Sequence, residues 1–226
     1  MKKNIFIVAL LALCVATTNV QAQIQTDPVK RAAEIQTEKD KATKWVAKLE
    51  LNDPAKEARV IEVITTHRIA VRDFHNTHPV SEVPNGINTR FPGSPMSGAE
   101  KQVFINSTKP ASVHENLMNG LRADLTEAQV EQILDEYTIN KVAFTMGGYR
   151  QMILDMTPEE DAALLAILKK WREPAVDYKN MDAISVFFEM AKTECELWLY
   201  QHDRNFKKLY ADWAARRKAA KDAEKK

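Results

Sequence analysis

The chain has 226 residues, of which 45% are hydrophobic and 28% charged, with 32 basic and 31 acidic side chains. This composition excludes intrinsic disorder, which requires low hydrophobicity and a high net charge. A net charge of +1 is also far from the positive excess with which dedicated nucleic-acid binders neutralise phosphates, so nucleic acid is not an expected partner.

The first 22 residues have the pattern of a signal peptide. Two lysines precede an apolar run over residues 5–16, and small residues at Val20 and Ala22 mark a cleavage site before Gln23. The apolar run is too short to stay in a bilayer as a membrane span. We therefore expect a protein that is periplasmic or secreted, with no membrane anchor once the signal peptide has been removed.

Capped starts and helical spacing predict the first two helices of the mature chain. Asp27 and Asp53 each precede a proline, which places an N-cap carboxylate before the residue best suited to the first helical position. Apolar residues then recur every three or four positions, and Pro79 must end the second helix near His78. His67 lies on the apolar stripe of that helix, where we interpret it as a core histidine with one hydrogen bond.

The segment 78–98 interrupts the helical pattern. It contains four of the nine prolines and three of the six glycines, so a turn at Asn85-Gly86 is the only regular feature expected there. Connections of this length in compact domains are either functional or mobile, and both interpretations stay open. Ser97 and Glu100 have the spacing of a capping box that begins the next helix.

Further helix starts are predicted at Thr126 and Thr157, each followed three residues later by the Gln or Glu of a capping box. The helix that follows Thr157 is expected to kink or end at Pro174. A clear apolar stripe over residues 184–199 then includes Cys195, which we interpret as a core residue and not a reactive thiol. Cys195 is the one cysteine left after signal cleavage, so no internal disulfide is possible.

The end of the chain is predicted to hold one more docking helix with aromatic residues between 206 and 213, followed by a frayed, solvated, charged tail over residues 216–226. No stretch of alternating polarity is long enough to predict a strand. The expected fold class is therefore all-α, a compact multi-helix bundle over residues 23–215 with one long Pro/Gly-rich loop.

The titratable candidates for a site fall into two groups. His75 lies at the edge of the apolar stripe of the second helix, near Arg72, and the cluster Arg172, Glu173 and Asp177 lies on a later helix. A carboxylate from that cluster would raise the pKa of His75 and orient its ring as a general base. The alternative interpretation of the cluster is a solvated helix end with local ion pairs.

Two tyrosines are candidates for a carbohydrate-binding surface, which uses an exposed aromatic ring beside planar polar groups. Tyr137 and Tyr149 flank the stretch 138–148, where Gly147-Gly148 allow the backbone to bend or approach a ligand closely. His75 and His78 are three residues apart and could share a metal ion, but Pro79 leaves His78 at a fraying helix end, which disfavours such a site. No phosphate-binding glycine loop, zinc-protease motif or nucleophile elbow is present, so neither a metal nor a cofactor is expected.

Several short blocks give the chain a family resemblance. Over residues 45–53, 71–75, 125–138, 149–159 and 172–177 the chain resembles an uncharacterised family of exported all-helical domains of unknown function from Bacteroidota. The resemblance picks out His75 among the histidines but carries no assigned activity. Members of the family resemble components of polysaccharide-utilisation gene sets, which implies a role in the cell envelope near glycan breakdown.

Three functional hypotheses remain, and they leave open whether the protein is an enzyme. The leading one is an exported, non-catalytic accessory or binding protein of the envelope, with a glycan or an envelope protein as partner. It predicts an exposed aromatic or apolar patch and no converging titratable groups. The second is a polysaccharide-active hydrolase or lyase that uses His75 with Arg172, Glu173 or Asp177. The third is a periplasmic helical chaperone, suggested by scattered methionines.

Overall fold

The computed structural model describes residues 27–86 and 93–224, so the predicted signal peptide 1–22 lies outside the described residues. Within these ranges the chain forms nine α-helices, one 3-10 turn and no strand, which confirms the all-α prediction. The elements are α1 (Pro28–Ala47), α2 (Pro54–Thr77), the 3-10 turn (Val80–Glu82), α3 (Gly98–Asn106), α4 (Ala111–Asp124), α5 (Glu127–Tyr137), α6 (Lys141–Met152), α7 (Pro158–Ala175), α8 (Met181–Gln201) and α9 (Phe206–Ala223).

The five helix starts that the sequence predicts are confirmed. The carboxylates of Asp27 and Asp53 each accept hydrogen bonds from two backbone N–H groups of the following turn. Capping boxes close in both directions at Ser97, Thr126 and Thr157. Each cap satisfies N–H groups that have no partner inside the helix, which stabilises it by about 1 kcal/mol.

Helix ends and the lone cysteine also follow the sequence. α2 ends at Thr77, just before His78, and α7 ends at Ala175, directly after Pro174. Cys195 is completely buried on α8, where burial raises the pKa of its thiol to about 12. A thiol with that pKa is unreactive at neutral pH, so the interpretation of Cys195 as a core residue is confirmed.

The described residues are more helical than the sequence predicts in several places. The 3-10 turn Val80–Glu82 lies within the 78–98 loop, where only a turn at Asn85-Gly86 is expected. α6 occupies most of the stretch 138–148, so Gly147 and Gly148 are helical residues and not a bend. α9 continues to Ala223, through most of the predicted tail. Arg216 supports this extension by donating hydrogen bonds to the carbonyls of Gln151 and Met152, both at 3.1 Å. These carbonyls lie at the C-terminal end of α6, where they lack partners within the helix. No helix among the described residues has both the length and the apolarity of a membrane span.

The apolar core of the described residues is divided into two clusters that follow the order of the chain. Side chains of α1, α2, α4 and α5 form the first cluster, and side chains of α6, α7 and α8 form the second. Both clusters contain fully buried large residues, which include Ile64, Leu121 and Ile133 in the first and Leu168, Phe188 and Leu199 in the second. The molecule therefore has a seam between two helical halves.

The connection between α7 and α8 runs along this seam. Val176 packs in the first cluster, whereas Ala175 and Tyr178 pack in the second. Asp177 lies between them in sequence and is also buried. Because consecutive residues point into different cores, the connection places one carboxylate between the two halves.

The two described ends of the 78–98 loop meet each other. The backbone N–H of Met96 donates to the carbonyl of Gly86 at 3.3 Å. The ammonium of Lys101 donates to the carbonyl of Val83 at 3.2 Å and to Oδ1 of Asn85 at 2.8 Å. These bonds fasten the loop to the start of α3, next to the end of α2.

Glycine-to-alanine substitutions in α4 and α6 should have opposite effects on stability. A Cβ at Gly120 would lie 2.7 Å from Cγ2 and 2.8 Å from Cγ1 of Val63, a stiff β-branched side chain of α2. Gly120→Ala should therefore lower the free energy of unfolding by about 1–3 kcal/mol. A Cβ at Gly147 meets no atom within 4 Å, so Gly147→Ala should raise it by about 0.5–1 kcal/mol.

Urea denaturation of the two variants measures both changes. Gly148→Ala is the matched control, because a Cβ there also meets nothing within 4 Å and the same gain in helix propensity is expected. A stable Gly120→Ala protein would show that α2 and α4 are not in close contact at Val63.

Candidate functional site

The carboxylate of Asp177 accepts hydrogen bonds from three different elements. Nε2 of His67 on α2 lies 2.9 Å from Oδ1, and Nδ1 of His114 on α4 lies 3.1 Å from the same oxygen. Nζ of Lys109, in the α3–α4 connection, lies 3.1 Å from Oδ2, and its side chain is only 3% exposed. We refer to His67, Lys109, His114, Tyr137, Glu173 and Asp177 as the Asp177 cluster.

Tyr137 extends the cluster into the first core. Its hydroxyl oxygen lies 3.1 Å from Nδ1 of His67. A neutral His67 that carries its proton on Nε2 satisfies both contacts, since Nε2–H donates to Asp177 and the Tyr137 hydroxyl donates to Nδ1. Burial lowers the pKa of His67 and raises the pKa of Tyr137, so both groups are neutral at pH 7. The core histidine predicted by the sequence thus makes two hydrogen bonds and not one.

His114 connects the cluster to solvent. Its side chain is 24% exposed, and Nε2 lies 3.5 Å from Oε1 of the exposed Glu173. The hydrogen bond to Asp177 raises the pKa of His114 above its usual value. Burial alone would raise the pKa of Asp177, but the hydrogen bonds from His114 and His67 outweigh it and hold that pKa well below the usual range. His114 is therefore the histidine of the cluster whose protonated form the neighbouring carboxylate stabilises.

His75 lies beside the cluster without a bond to its carboxylate. Its ring centroid is 6.0 Å from that of Tyr178. Both ring nitrogens, and Oδ1 of Asn106, are buried without a hydrogen-bond partner among the described residues. Burial, followed by the positive charge of Lys179, lowers the pKa of His75. The expectation that a carboxylate raises this pKa is therefore wrong.

Two of the predicted arginines belong to other ion pairs. Arg172 is 1% exposed and contacts Glu131 and Asp135 of α5, at 2.7 Å each. The interpretation of Arg172 as part of a solvated helix end is therefore wrong, because it is a buried link between α5 and α7. Arg72 lies 2.9 Å from Glu34 in a row of ion pairs that joins α1 to α2. Neither arginine joins the Asp177 cluster.

The two predicted tyrosine rings are not an exposed platform. Tyr137 and Tyr149 are both buried, so a ligand on the surface does not reach either ring. The ring centroid of Tyr149 lies 6.3 Å from that of Phe206, where α6 meets α9. Of the sequence candidates, Tyr137, Glu173 and Asp177 come together, and His75 lies close by.

His114 and Lys109 are the members of the cluster that sequence reasoning missed. They are 63 and 68 residues from Asp177, and no local pattern relates positions so far apart. Neither lies on a strong apolar stripe, so each resembles an ordinary surface residue in the sequence. Among the described residues, no group of three or more His, Cys, Asp or Glu side chains is placed to hold a metal ion.

A separate surface groove of about 810 Å³ lies where α8 meets α9. Its lining includes Leu197 and Tyr200, which are both exposed, and the polar residues Asp203, Asn205 and Lys207. Tyr200 as a whole residue is 76% exposed. The groove is formed by the C-terminal half of α8, whereas the Asp177 cluster lies next to the N-terminus of the same helix.

Comparison with known proteins adds a family match. A family model described as "Protein of unknown function (DUF3826)" matches residues 35–219. The match includes the whole Asp177 cluster and the whole groove. No curated protein matches the chain.

Removal of the central charge should destabilise the protein strongly. Asp177→Asn leaves the buried ammonium of Lys109 without its anion, and we expect the free energy of unfolding to fall by about 3–5 kcal/mol. Urea denaturation at neutral pH gives this value. Adding Lys109→Met to the same chain removes the second charge and should restore part of the loss. A double variant that is no more stable than Asp177→Asn would contradict the pairing.

His114 should make stability depend on pH. Since its folded-state pKa is raised, its contribution is fully present below the unfolded value of about 6.5 and is lost as the pH rises through the folded pKa. The difference in unfolding free energy between wild type and His114→Gln should therefore be larger at about pH 5.5 than at about pH 8.5. An equal difference at both pH values would show that His114 does not titrate against Asp177.

Proposed function

We propose that this chain, which belongs to the DUF3826 family, is an exported, non-catalytic glycan-binding protein of the cell envelope. The signal-peptide pattern of residues 1–22 supports a periplasmic or secreted location. The resemblance to Bacteroidota proteins near polysaccharide-utilisation genes supports a glycan as the partner. The groove between α8 and α9 is where this glycan binds.

The Tyr200 ring carries the proposal. Tyr200 is a large aromatic residue that is 76% exposed at the edge of an open groove. A tyrosine combines an apolar ring with a polar hydroxyl, and the apolar C–H face of a sugar ring packs against such a surface. The leading hypothesis predicts an exposed aromatic patch of this kind.

Polar side chains beside Tyr200 suit the hydroxyl groups of a sugar. Thr193 and Glu196 precede Tyr200 by seven and four residues on α8, so all three share one face of the helix. Asp203 and Asn205 follow in the α8–α9 connection and line the same groove. Sites with a few fixed polar groups beside an apolar surface are typical of small-molecule recognition.

Arg204 holds this connection in place. Its guanidinium contacts Glu160 at 2.5 Å and Asp155 at 2.9 Å, near the start of α7. Its backbone N–H also donates to the carbonyl of Leu199 at 2.9 Å. Because the connection is fixed before a ligand arrives, binding loses less conformational entropy there.

Substitution of Tyr200 tests the proposed function. A thermal-shift screen of the wild-type protein against plant, algal and host polysaccharides identifies the glycan, and titration calorimetry measures its affinity. Tyr200→Ala should weaken binding about tenfold, a loss of about 1.4 kcal/mol. Phe144→Ala is the matched control, because Phe144 is an aromatic ring on α6 that is 81% exposed and lies outside the groove.

Both variants should keep the wild-type melting temperature, since both rings are largely exposed and pack little. Equal affinity of wild type and Tyr200→Ala would overturn the assignment of the groove. If no polysaccharide shifts the melting temperature, the proposal that the ligand is a glycan is wrong.

An acid–base enzyme is the second candidate function, and the Asp177 cluster favours it. Titratable groups do converge there, contrary to what the binding hypothesis predicts. His114, which Asp177 orients through Nδ1, replaces His75 as the candidate base, and Glu173 lies beside Nε2. A partly exposed histidine that is oriented by a buried carboxylate is typical of general acid–base sites.

Product analysis distinguishes the two candidates. For an enzyme, the wild-type protein should release new reducing ends or unsaturated products from the glycan, and His114→Gln should slow this release about 100-fold or more without loss of binding. If the glycan is still intact after prolonged incubation with the wild-type protein, the enzyme candidate is wrong and the non-catalytic function stands.

The chaperone hypothesis receives no support from the groove. A chaperone surface needs an apolar floor, whereas this lining combines Leu197 and Tyr200 with Asp203, Asn205 and Lys207.

A further inference from the structure

The outer side of α9 has a row of basic residues that begins at the groove. Lys207 lines the groove, and Arg217, Lys218 and Lys221 follow 10, 11 and 14 residues later on the same helix. At 3.6 residues per turn, these four positions and Tyr210 lie within an arc of about 100°. All five residues are exposed, and we call them the α9 basic stripe.

The cations of this stripe are available to a ligand. Within the described residues, the side chains of Lys207, Lys218 and Lys221 make no ion pair, and Arg217 contacts the ring of Trp213 with its guanidinium 5.1 Å from the centroid. The other two basic residues of α9 already have protein partners. Lys208 is paired with Asp212 at 2.8 Å, and Arg216 is bonded to the carbonyls that end α6.

The lining of the groove, unlike the α9 basic stripe, contains acidic side chains. Glu196 and Asp203 are acidic groups in its lining, and Lys207 stands at the point where the groove joins α9. Asp222, near the end of α9, and Glu224, directly after the helix, lie beyond the stripe in sequence. Arg204 also lines the groove, so the lining has two acidic and two basic side chains and no net repulsion of a carboxylated sugar. The excess of cations on the stripe supplies the attraction for negative groups.

We propose that the glycan is a carboxylated polysaccharide whose chain lies in the groove and continues along the α9 basic stripe. This inference rests on the proposed function. Lys207 and Lys221 are 14 residues apart, about 21 Å along the helix axis, which spans several sugar units and selects a polymer over a single sugar. Tyr210 supplies a second exposed ring along that path.

Two other polyanions fit less well. A duplex nucleic acid is held by a large positive excess, whereas the chain as a whole is almost neutral. An anionic membrane surface is bound by helices that pair basic residues with a broad apolar face. On α9 the partly buried apolar residues Phe206 and Leu209 pack against the second core cluster and are not presented outward.

The test compares charged and neutral polymers with one backbone. The full-length mature protein is titrated with polygalacturonate, with the same polymer after complete methyl esterification, and with alginate and hyaluronate. We expect at least one of the three carboxylated polymers to bind, at least tenfold weaker binding after its carboxylates are esterified or amidated, and weakening by added salt.

A triple variant isolates the stripe. Arg217→Gln, Lys218→Gln and Lys221→Gln together should weaken binding of the carboxylated polymer at least tenfold and reduce its salt dependence. The matched control is Lys30→Gln, Lys39→Gln and Lys44→Gln on α1, which removes three exposed charges from the other half of the molecule. Both variants should melt at the wild-type temperature, because none of the six side chains is buried.

The outcomes separate this inference from the proposed function. If charged and neutral glycans bind equally and Tyr200→Ala weakens both, glycan binding stands and the stripe proposal is wrong. If the triple variant keeps wild-type affinity for the carboxylated polymer, the stripe proposal is also wrong. Tighter binding to duplex DNA or to anionic vesicles than to any glycan overturns it as well, and the absence of binding to every glycan overturns both proposals.

Discussion

The pairing of Asp177 with Lys109 is the interaction on which the two halves of the molecule depend. Burial of a carboxylate and an ammonium is costly unless each finds its partner and the remaining lone pairs are satisfied. Here His67 and His114 supply the remaining hydrogen bonds, and every donor comes from the first half of the chain. Correct placement of the α7–α8 connection against α2 and α4 is thus coupled to the satisfaction of one charge.

The same arrangement explains why two features of the protein lie far apart. α8 begins beside Asp177 and ends at the groove, so one helix of 21 residues connects the polar cluster with the proposed glycan surface. The cluster is mostly buried, whereas the groove is open and its α8–α9 connection is held by the ion pairs of Arg204. The polar cluster and the proposed binding surface therefore lie at opposite ends of α8.

The sequence predicted those features that neighbouring residues determine. Caps at Asp27 and Thr157 and the helix end at Pro174 depend on residues within one turn, and all three were found. The helix through Gly147 was missed because tertiary packing outweighs the low helix propensity of glycine. The contact of His114 with Asp177 was missed because it joins positions 63 residues apart, and Tyr200 because an exposed ring gives no periodic signal.

α9 contains no fully buried residue, and its attachment consists of a few half-buried side chains with Arg216 on the end of α6. A helix held in this way opens at a much lower free energy than the core, so its amides exchange with solvent through local openings and not through global unfolding. A polymer bound along α9 would stabilise the closed form by mass action. α9 would then open less often while the polymer is bound, and the rate of this opening would limit the rate at which the polymer dissociates.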